Sequence, residues 1–285
     1  RPVDLSGPAM HRLKPALNGV LRQLTRLGVP VVEPDVLETR PHDPGAFVQG
    51  LAYAAGTLYE STGRYGHSSL RRLDDAGAVA ECVEVPGHFA EGIAVLDARI
   101  YQLTLSSHRV LVYDRRTLQR VGMYELPGPG WGLASDGADL VVSDGSSVLQ
   151  LRDGAFALDR RIPVRSHGLP VRGLNDIEVA GGLIFANLWY RAELAAICRT
   201  TGRLAFVVDC RRLRALEAPD NPHHILNGIA HDPVGDRFFL TGKHWRRLFV
   251  VRIPNPLAPA CPDPAKPPDP AKPAQRDGRA GVWVE

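Results

Sequence analysis

The chain has 285 residues, of which 44% are hydrophobic, so it can bury a full core in one or two domains. Lys and Arg total 34 against 31 Asp and Glu, and the basic residues are scattered apart from small clusters, which does not favour nucleic-acid binding. No apolar run approaches the roughly 20 residues that cross a bilayer. We therefore expect a globular protein without a membrane anchor.

The two ends of the chain differ from its middle in composition and in the spacing of apolar residues. Apolar residues at three- and four-residue spacing, among them Leu13, Leu17 and Leu24, predict an amphipathic helix that ends at Gly28 and Pro30. Residues 1–30 are thus expected to form a helical extension, packed on the outside of the main fold or binding a partner. Residues 254–285 are Pro-rich and read as an extended tail, because proline cannot donate the hydrogen bonds of a sheet.

Between these ends a short pattern, in which a polar or aromatic residue precedes Gly and an apolar residue, returns at intervals of roughly 40 to 50 residues. Each copy is followed by a turn and a second apolar strand, and usually by two further strands. The fourth copy has Asp in place of Gly. The five copies are Gln49-Gly50-Leu51, Glu91-Gly92-Ile93, Trp131-Gly132-Leu133, Asn175-Asp176-Ile177 and Asn227-Gly228-Ile229.

A unit of this length with four short strands has the size of one propeller blade, and five units make a closed ring. The sequence therefore predicts an all-β, five-bladed β-propeller over residues 31–253. The fifth unit is one strand short, and we expect residues 31–39 to supply the missing strand and remove an exposed edge. The longest interval predicts an insertion at residues 211–224.

In a propeller the first strand of every blade lines a central channel, so equivalent positions converge on one axis. This predicts an inner ring of five side chains, of which Glu91 is the only acid. Packing does not require such a ring; it suits a small polar ligand with an apolar part, or it merely lines a water-filled channel. The inner-ring residues are Gln49, Glu91, Trp131, Asn175 and Asn227.

The end of each second strand predicts a second ring beside the first. It adds an indole and one ammonium to the channel mouth, although Lys243 taken alone would more often be a solvated surface lysine. The second-ring residues are Gly63, Leu105, Gly145, Trp189 and Lys243.

Four segments in this order and spacing resemble the glutaminyl-peptide cyclotransferases of the plant and bacterial type, which are five-bladed propellers. The resemblance covers residues 41–251. The segments are His42-Asp43-Pro44-Gly45-Ala46-Phe47-Val48-Gln49-Gly50-Leu51; Leu58-Tyr59-Glu60-Ser61-Thr62-Gly63-Arg64-Tyr65-Gly66; Gly130-Trp131-Gly132-Leu133 with Ser143-Asp144-Gly145-Ser146; and Asn227-Gly228-Ile229-Ala230 with Thr241-Gly242-Lys243.

The resemblance implies an enzyme that converts an N-terminal glutamine of peptides to 5-oxoproline with release of ammonia. It assigns the general acid/base to Glu91 and the substrate pocket to Phe47, Gln49, Phe89, Trp131, Asn175, Trp189 and Lys243. The family often has Trp where this chain has Leu105, which removes one aromatic wall. The resemblance further implies substrates that begin with Gln and a location outside the cytoplasm. The reaction requires no metal or other cofactor, and we expect a monomer.

The implied reaction fits one carboxyl, which accepts the proton of the α-amine and passes it to the departing nitrogen. Such a group needs a pKa raised towards neutrality by apolar surroundings. Lys243 would lower that pKa if close, so we assign it to oxyanion stabilisation together with Asn175.

Two other functions are compatible with a propeller of this kind. One is a lactonase-type hydrolase that holds calcium through Glu91, Asn175 and Asp176. Such a site requires several carboxylates, and the inner ring supplies only one. The other is a non-catalytic propeller that binds peptides on its rim. The histidines show no zinc-binding pattern, and most of the cysteines are expected to be thiols rather than disulfides. Glu60 is predicted to be a hydrogen-bonding residue rather than a second acid.

Overall fold

A computed structural model describes residues 28–257, and its regular structure is almost entirely β-strand. Strands β1 (Val31–Val32) and β2 (Asp35–Pro41) come first. The first sheet then consists of β3 (Val48–Ala54), β4 (Thr57–Thr62), β5 (Ser69–Leu73) and β6 (Val79–Glu84). The second sheet consists of β7 (Ala90–Leu96), β8 (Arg99–Thr104), β9 (Arg109–Asp114) and β10 (Arg120–Glu125).

The third sheet has the shortest inner strands. It consists of β11 (Leu133–Ser135), β12 (Leu140–Val142), β13 (Val148–Arg152) and β14 (Leu158–Pro163). A two-stranded hairpin, β15 (Arg165–Ser166) and β16 (Leu169–Pro170), leads to the fourth sheet. That sheet consists of β17 (Leu174–Ala180), β18 (Leu183–Leu188), β19 (Glu193–Cys198) and β20 (Leu204–Asp209).

The fifth sheet closes the ring. Helix α1 (Arg211–Glu217) lies in the predicted insertion and precedes β21 (Leu226–Asp232), β22 (Arg237–Gly242) and β23 (Arg247–Arg252). Within each blade the four consecutive strands pair antiparallel, and β2 is the outer strand of the fifth sheet. The innermost strands β3, β7, β11, β17 and β21 contact one another in order, and β21 contacts β3. The predicted all-β, five-bladed propeller is confirmed.

The segment expected to close the ring divides between two sheets. β2 pairs with β23, with Val36 opposite Val251 and Thr39 opposite Phe249. Val31 and Val32 instead extend the fourth sheet, because β1 runs parallel to the outer edge of β20. The start of the described chain therefore contacts two neighbouring blades.

The repeated glycine reflects how closely the innermost strands approach. A Cβ atom on Gly92 would lie 2.5 Å from the backbone nitrogen of Leu133 and 2.7 Å from the Cα of Gly132. These are backbone atoms, so they cannot turn aside as a flexible side chain could. Glycine at this place lets adjacent blades meet at the channel.

Apolar side chains fill the space between neighbouring sheets. Phe206, Trp245 and Phe249 pack together between the fourth and fifth blades and are fully buried. Burial of one such side chain stabilises a fold by about 1.5 to 3 kcal/mol. The blades are thus held side by side by hydrophobic packing.

The predicted N-terminal helix and most of the predicted Pro-rich tail lie outside the described residues. Within residues 28–257, no helix has the length and apolar character needed to cross a bilayer. Cys82 and Cys210 are free thiols.

Candidate active site

The first residue of each repeat lies at the start of an innermost strand or, for Trp131, two residues before it, at the same end of the channel. Gln49, Glu91, Asn175 and Asn227 are buried and Trp131 is half-buried. The side chain of Gln49 hydrogen-bonds Glu91. Asn227 Nδ2 donates to Gln49 Oε1 at 3.5 Å and to the carbonyl of Val48 at 3.0 Å. Three of the five predicted inner-ring side chains therefore form one hydrogen-bonded chain.

The second ring is marked by a repeated backbone hydrogen bond. In four blades its residue donates a backbone N–H to the carbonyl two positions before the inner-ring residue. The bonds are Gly63 to Phe47 at 2.8 Å, Leu105 to Phe89 at 3.0 Å, Trp189 to Gly173 at 2.8 Å and Lys243 to Ile225 at 2.9 Å. Lys243 thus occupies the equivalent position in spite of the longer turn in its blade.

Asp176 takes the place of the repeated glycine in the fourth blade and connects three blades. Its Oδ2 accepts hydrogen bonds from the backbone nitrogens of Leu51 at 3.3 Å and Ile229 at 3.0 Å. Its Oδ1 lies 3.2 Å from where a Cβ of Gly50 would stand and has no hydrogen-bond partner among the described residues. Burial raises the pKa of this carboxyl well above its usual range, against the lowering effect of its backbone donors.

Glu91 and Lys243 are the other two charged groups of the channel mouth. Burial raises the pKa of Glu91 well above its usual range, while the ammonium of Lys243 lowers it and Asp176 raises it further. Burial also lowers the pKa of Lys243 to about 8, against the opposing effect of Glu91 and Asp176. The site therefore holds a carboxyl with a raised pKa beside an amine with a lowered one, the pattern common at catalytic centres.

Aromatic rings stand on two sides of this centre. On one side Phe47 meets Phe89 edge to face at 6.1 Å between ring centroids, and Lys243 Nζ lies 4.5 Å from the centroid of Phe47. On the other side the indoles of Trp131 and Trp189 lie 5.4 Å apart. All the residues predicted to form the pocket are thus found at the channel mouth.

Two second-ring glycines make room for these rings. A Cβ on Gly63 would lie 2.5 Å from Phe89, and one on Gly145 would lie 2.6 Å from Trp131, where φ is also +79°. Leu105, at the equivalent place in the second blade, is half-buried and supplies an aliphatic wall. The aromatic sides of the pocket therefore depend on small residues in the loops above them.

Sequence reasoning missed the aromatic and basic residues that follow the second ring. Tyr65 packs against Phe89 at 5.6 Å, Tyr190 against Trp189 at 4.8 Å, and His244 against Phe47 at 5.5 Å. Tyr190 and His244 come one position after a second-ring residue, and Tyr65 comes two positions after. The spacing that predicted the second ring could have been continued to find them.

Glu60 lies off the inner ring, as expected. It is fully buried and contacts His42 Nε2 at 2.6 Å and Arg71 Nη1 at 3.2 Å. Glu60 belongs to a buried polar network between strands rather than to the channel mouth.

Across residues 28–257, no cluster of three or more His, Cys, Asp or Glu could hold a metal ion.

Five sheets surround a channel, and the buried acid Glu91 lies among amides, indoles and a lysine at its mouth. Together these features define a β-propeller with an enzyme-like site. The sequence model of the glutamine cyclotransferase family matches residues 14–253. A glutaminyl-peptide cyclotransferase of Arabidopsis thaliana is 37% identical over 229 residues, which cover 78% of this chain and 71% of the relative. The crystal structure of Myxococcus xanthus glutaminyl cyclase aligns with a TM-score of 0.75 and 34% identity, over 79% of this chain and 98% of that one. The chain belongs to the glutamine cyclotransferase family.

Proposed function

We propose that this protein is a glutaminyl-peptide cyclotransferase that converts the N-terminal glutamine of peptides or proteins to 5-oxoproline. The observation that carries this assignment is Glu91, the one acid among the five inner-ring residues, buried in a pocket of amides and aromatic rings within a chain of this family. The α-amine nitrogen attacks the side-chain amide carbon and a C–N bond forms. The bond from that carbon to the amide nitrogen then breaks, and ammonia leaves.

Geometry supplies much of the acceleration in this scheme. Nucleophile and electrophile belong to one residue, so a pocket that holds the side chain folded back on the amine makes the attack effectively unimolecular. Phe47, Phe89, Trp131 and Trp189 would form this mould, and Gln49 would help to orient the ligand. The half-buried state of all four rings leaves them open to a bound side chain.

Glu91 is assigned the proton transfers. As a carboxylate it accepts the proton of the attacking amine, and as a carboxylic acid it delivers that proton to the departing nitrogen. Its raised pKa supports both halves, because a group that accepts and returns a proton works best with a pKa close to the working pH, and burial shifts the pKa of Glu91 upward in that direction. The α-amine itself titrates near 8, so a base of modest strength suffices.

Lys243 and Asn175 are assigned to the oxyanion that forms on the side-chain carbonyl oxygen. A cation and an amide donor in a water-poor site stabilise developing negative charge strongly. Support comes from the burial of both side chains and from the ring position that brings them to the channel mouth. Lys243 also keeps the pKa of Glu91 from rising further.

The scheme requires no metal or other cofactor, which distinguishes it from a calcium-dependent lactonase. We expect the rate of ammonia release from a Gln-initiated dipeptide to be unchanged in excess EDTA. A rate that falls with EDTA and returns with added calcium would contradict this.

The substrates are peptides or proteins with N-terminal Gln, and we infer that the protein acts as a monomer, since one chain supplies every residue of the pocket. An extracytoplasmic location is proposed on family grounds alone. Incubation with a Gln-initiated dipeptide, followed by ammonia release and loss of the free α-amine, tests the function. A protein that only binds peptides would release no ammonia.

A further inference from the structure

We propose that Arg64 and Tyr65 form a rim subsite that binds an acidic side chain in the peptide segment following the N-terminal glutamine. The inference rests on the proposed function and adds to it a preference for substrate charge. The loop between β4 and β5 carries both residues at the edge of the pocket.

The loop is held in place by hydrogen bonds at both ends. The backbone nitrogen of Gly63 donates to the carbonyl of Phe47 at 2.8 Å, and Ser68 Oγ donates to the carbonyl of Arg64 at 2.9 Å. Ser68 Oγ in turn accepts the backbone N–H of Ala90, the residue before Glu91, at 3.0 Å. A loop fixed in this way loses little conformational entropy when it binds a ligand.

Arg64 has φ of +94°, a left-handed conformation that a non-glycine residue adopts rarely. This backbone turn accompanies a guanidinium that lies over the ring of Phe47, with Cζ 5.0 Å from the centroid. The same ring faces Lys243 Nζ at 4.5 Å. Phe47 therefore carries one cation that belongs to the buried site and one that is exposed at its rim.

The guanidinium of Arg64 is available to a ligand. Within residues 28–257 no carboxylate forms an ion pair with it. The charges of Arg64 and Asp43 both act on His244, but the carboxylate of Asp43 already accepts from Arg71 at 2.9 Å and from the backbone of Gly45 at 2.8 Å. A planar guanidinium matches the two oxygens of a carboxylate, so an acidic side chain is the ligand that this group favours.

Tyr65 adds an exposed apolar surface beside this cation. Its residue is 51% exposed, and its ring stands edge-on to Phe89 at 5.6 Å. A tyrosine fixed against a pocket wall offers contact area with little loss of side-chain freedom. It suits the backbone of a peptide leaving the pocket.

The distances fit the residues just after the reacting glutamine. Because Arg64 and Lys243 contact the same ring, their charges lie within roughly 10 Å of each other, the span of about three extended residues. With glutamine bound beside Lys243, the side chain of the second or third residue reaches Arg64. His244, which also packs on Phe47, adds no negative charge to this rim.

The test compares the peptides Gln-Glu-Ala, Gln-Ala-Ala and Gln-Lys-Ala by kcat/KM for ammonia release. We expect Gln-Glu-Ala to exceed Gln-Lys-Ala by roughly fivefold at low ionic strength, as for a solvent-exposed ion pair, and the ratio to shrink in high salt. Arg64→Gln should bring the ratio close to one, and Arg64→Glu should invert it. Arg116→Ala changes an exposed arginine in the turn between the outer strands β9 and β10, away from the channel, and should keep the wild-type ratio.

A wild-type ratio of one, or a preference that survives in Arg64→Gln, would overturn the subsite while turnover of Gln-Ala-Ala left the proposed function standing. If none of the three peptides released ammonia, the proposed function would fall, and the subsite with it. The two failures are therefore distinguishable in one experiment.

Discussion

At the scale of single residues, the site depends on how burial and one cation together determine the charge of Glu91. Burial favours the protonated carboxyl, and Lys243 favours the carboxylate. Lys243 is itself easier to deprotonate than an ordinary lysine, with a pKa of about 8. As pH rises, Glu91 gains the charge it needs as a base, and near pH 8 Lys243 begins to lose the charge that stabilises the oxyanion.

Lys243→Met tests this balance. Loss of the cation removes the group that lowers the pKa of Glu91, so that pKa rises and the acid limb of the kcat/KM profile moves to higher pH. Turnover should also fall by roughly a hundredfold, the effect of removing one oxyanion-stabilising group. Lys243→Arg, which keeps a positive charge, should leave the acid limb near its wild-type position. The same substrate is used for every variant, so the titration of its α-amine contributes equally to each profile. An acid limb that stays in place or moves to lower pH in Lys243→Met would contradict the assignment.

At the scale of secondary-structure elements, the innermost strands bring the site together because they can approach closely. Gly92 lies against the backbone of Gly132 and Leu133 in the next blade. In the fourth blade Asp176 stands where the other blades have glycine, and its carboxylate accepts backbone hydrogen bonds from the first and fifth blades. The strand contacts that close the channel are thus the same contacts that position the inner ring.

Gly92→Ala should destabilise the protein by about 3 kcal/mol, because the new methyl group would meet backbone atoms that cannot move aside. Gly122→Ala on the outer strand β10 is the matched control. Its Cβ would find its nearest neighbour, Val112, at 3.9 Å. Urea unfolding should therefore show a large loss for Gly92→Ala and a change within about 1 kcal/mol for Gly122→Ala. Equal losses in both variants would show that the close approach of strands is unimportant.

The repeat predicted the inner strands, the inner ring and Lys243, because each of these follows from a local pattern of turn and strand that returns along the chain. The partners of those residues carried no such signal. The addition of Val31–Val32 to the fourth sheet depends on contacts between segments remote in sequence. The placement of Arg64 over Phe47 depends on how a loop folds back over its own blade. Spacing within one blade contains no information on what the neighbouring loop places against it.

At the scale of the whole molecule, the ring is joined near the point where the fifth blade meets the first. His42 directly follows β2, and its Nδ1 lies 2.8 Å from the carbonyl of Trp245, to which it can only donate. Its Nε2 lies 2.6 Å from Glu60 in the first blade. Burial alone would lower the pKa of His42, but the hydrogen bond and charge of Glu60 outweigh it, so the pKa is raised. The contribution of this pair to stability is fully present below the ordinary histidine pKa of about 6.5 and is lost as pH rises through the higher value of the folded state.

Glu60→Gln should lower the free energy of unfolding by about 3 kcal/mol on the acid side of neutrality, because it leaves buried positive groups without their partner. It should also remove the loss of stability that the His42 pair produces as pH rises. Glu38→Gln breaks an exposed pair with Arg40 and should change stability by less than about 1 kcal/mol. Urea titrations at two pH values on either side of neutrality measure both effects. If Glu60→Gln lowered the free energy of unfolding no more than Glu38→Gln does, this network would not be what stabilises the closed ring.

One substitution tests the central claim, which is that Glu91 carries the proton during glutamine cyclisation. Glu91→Gln keeps the size of the side chain and removes only its ability to carry the proton. We expect ammonia release from a Gln-initiated peptide to fall by at least about a thousandfold, within the range attributed to general acid/base groups, with the far-UV circular dichroism unchanged. Glu60→Gln, which alters a buried acid outside the inner ring, should retain most of the turnover under conditions where it is folded. Turnover by Glu91→Gln within about tenfold of wild type would contradict the account.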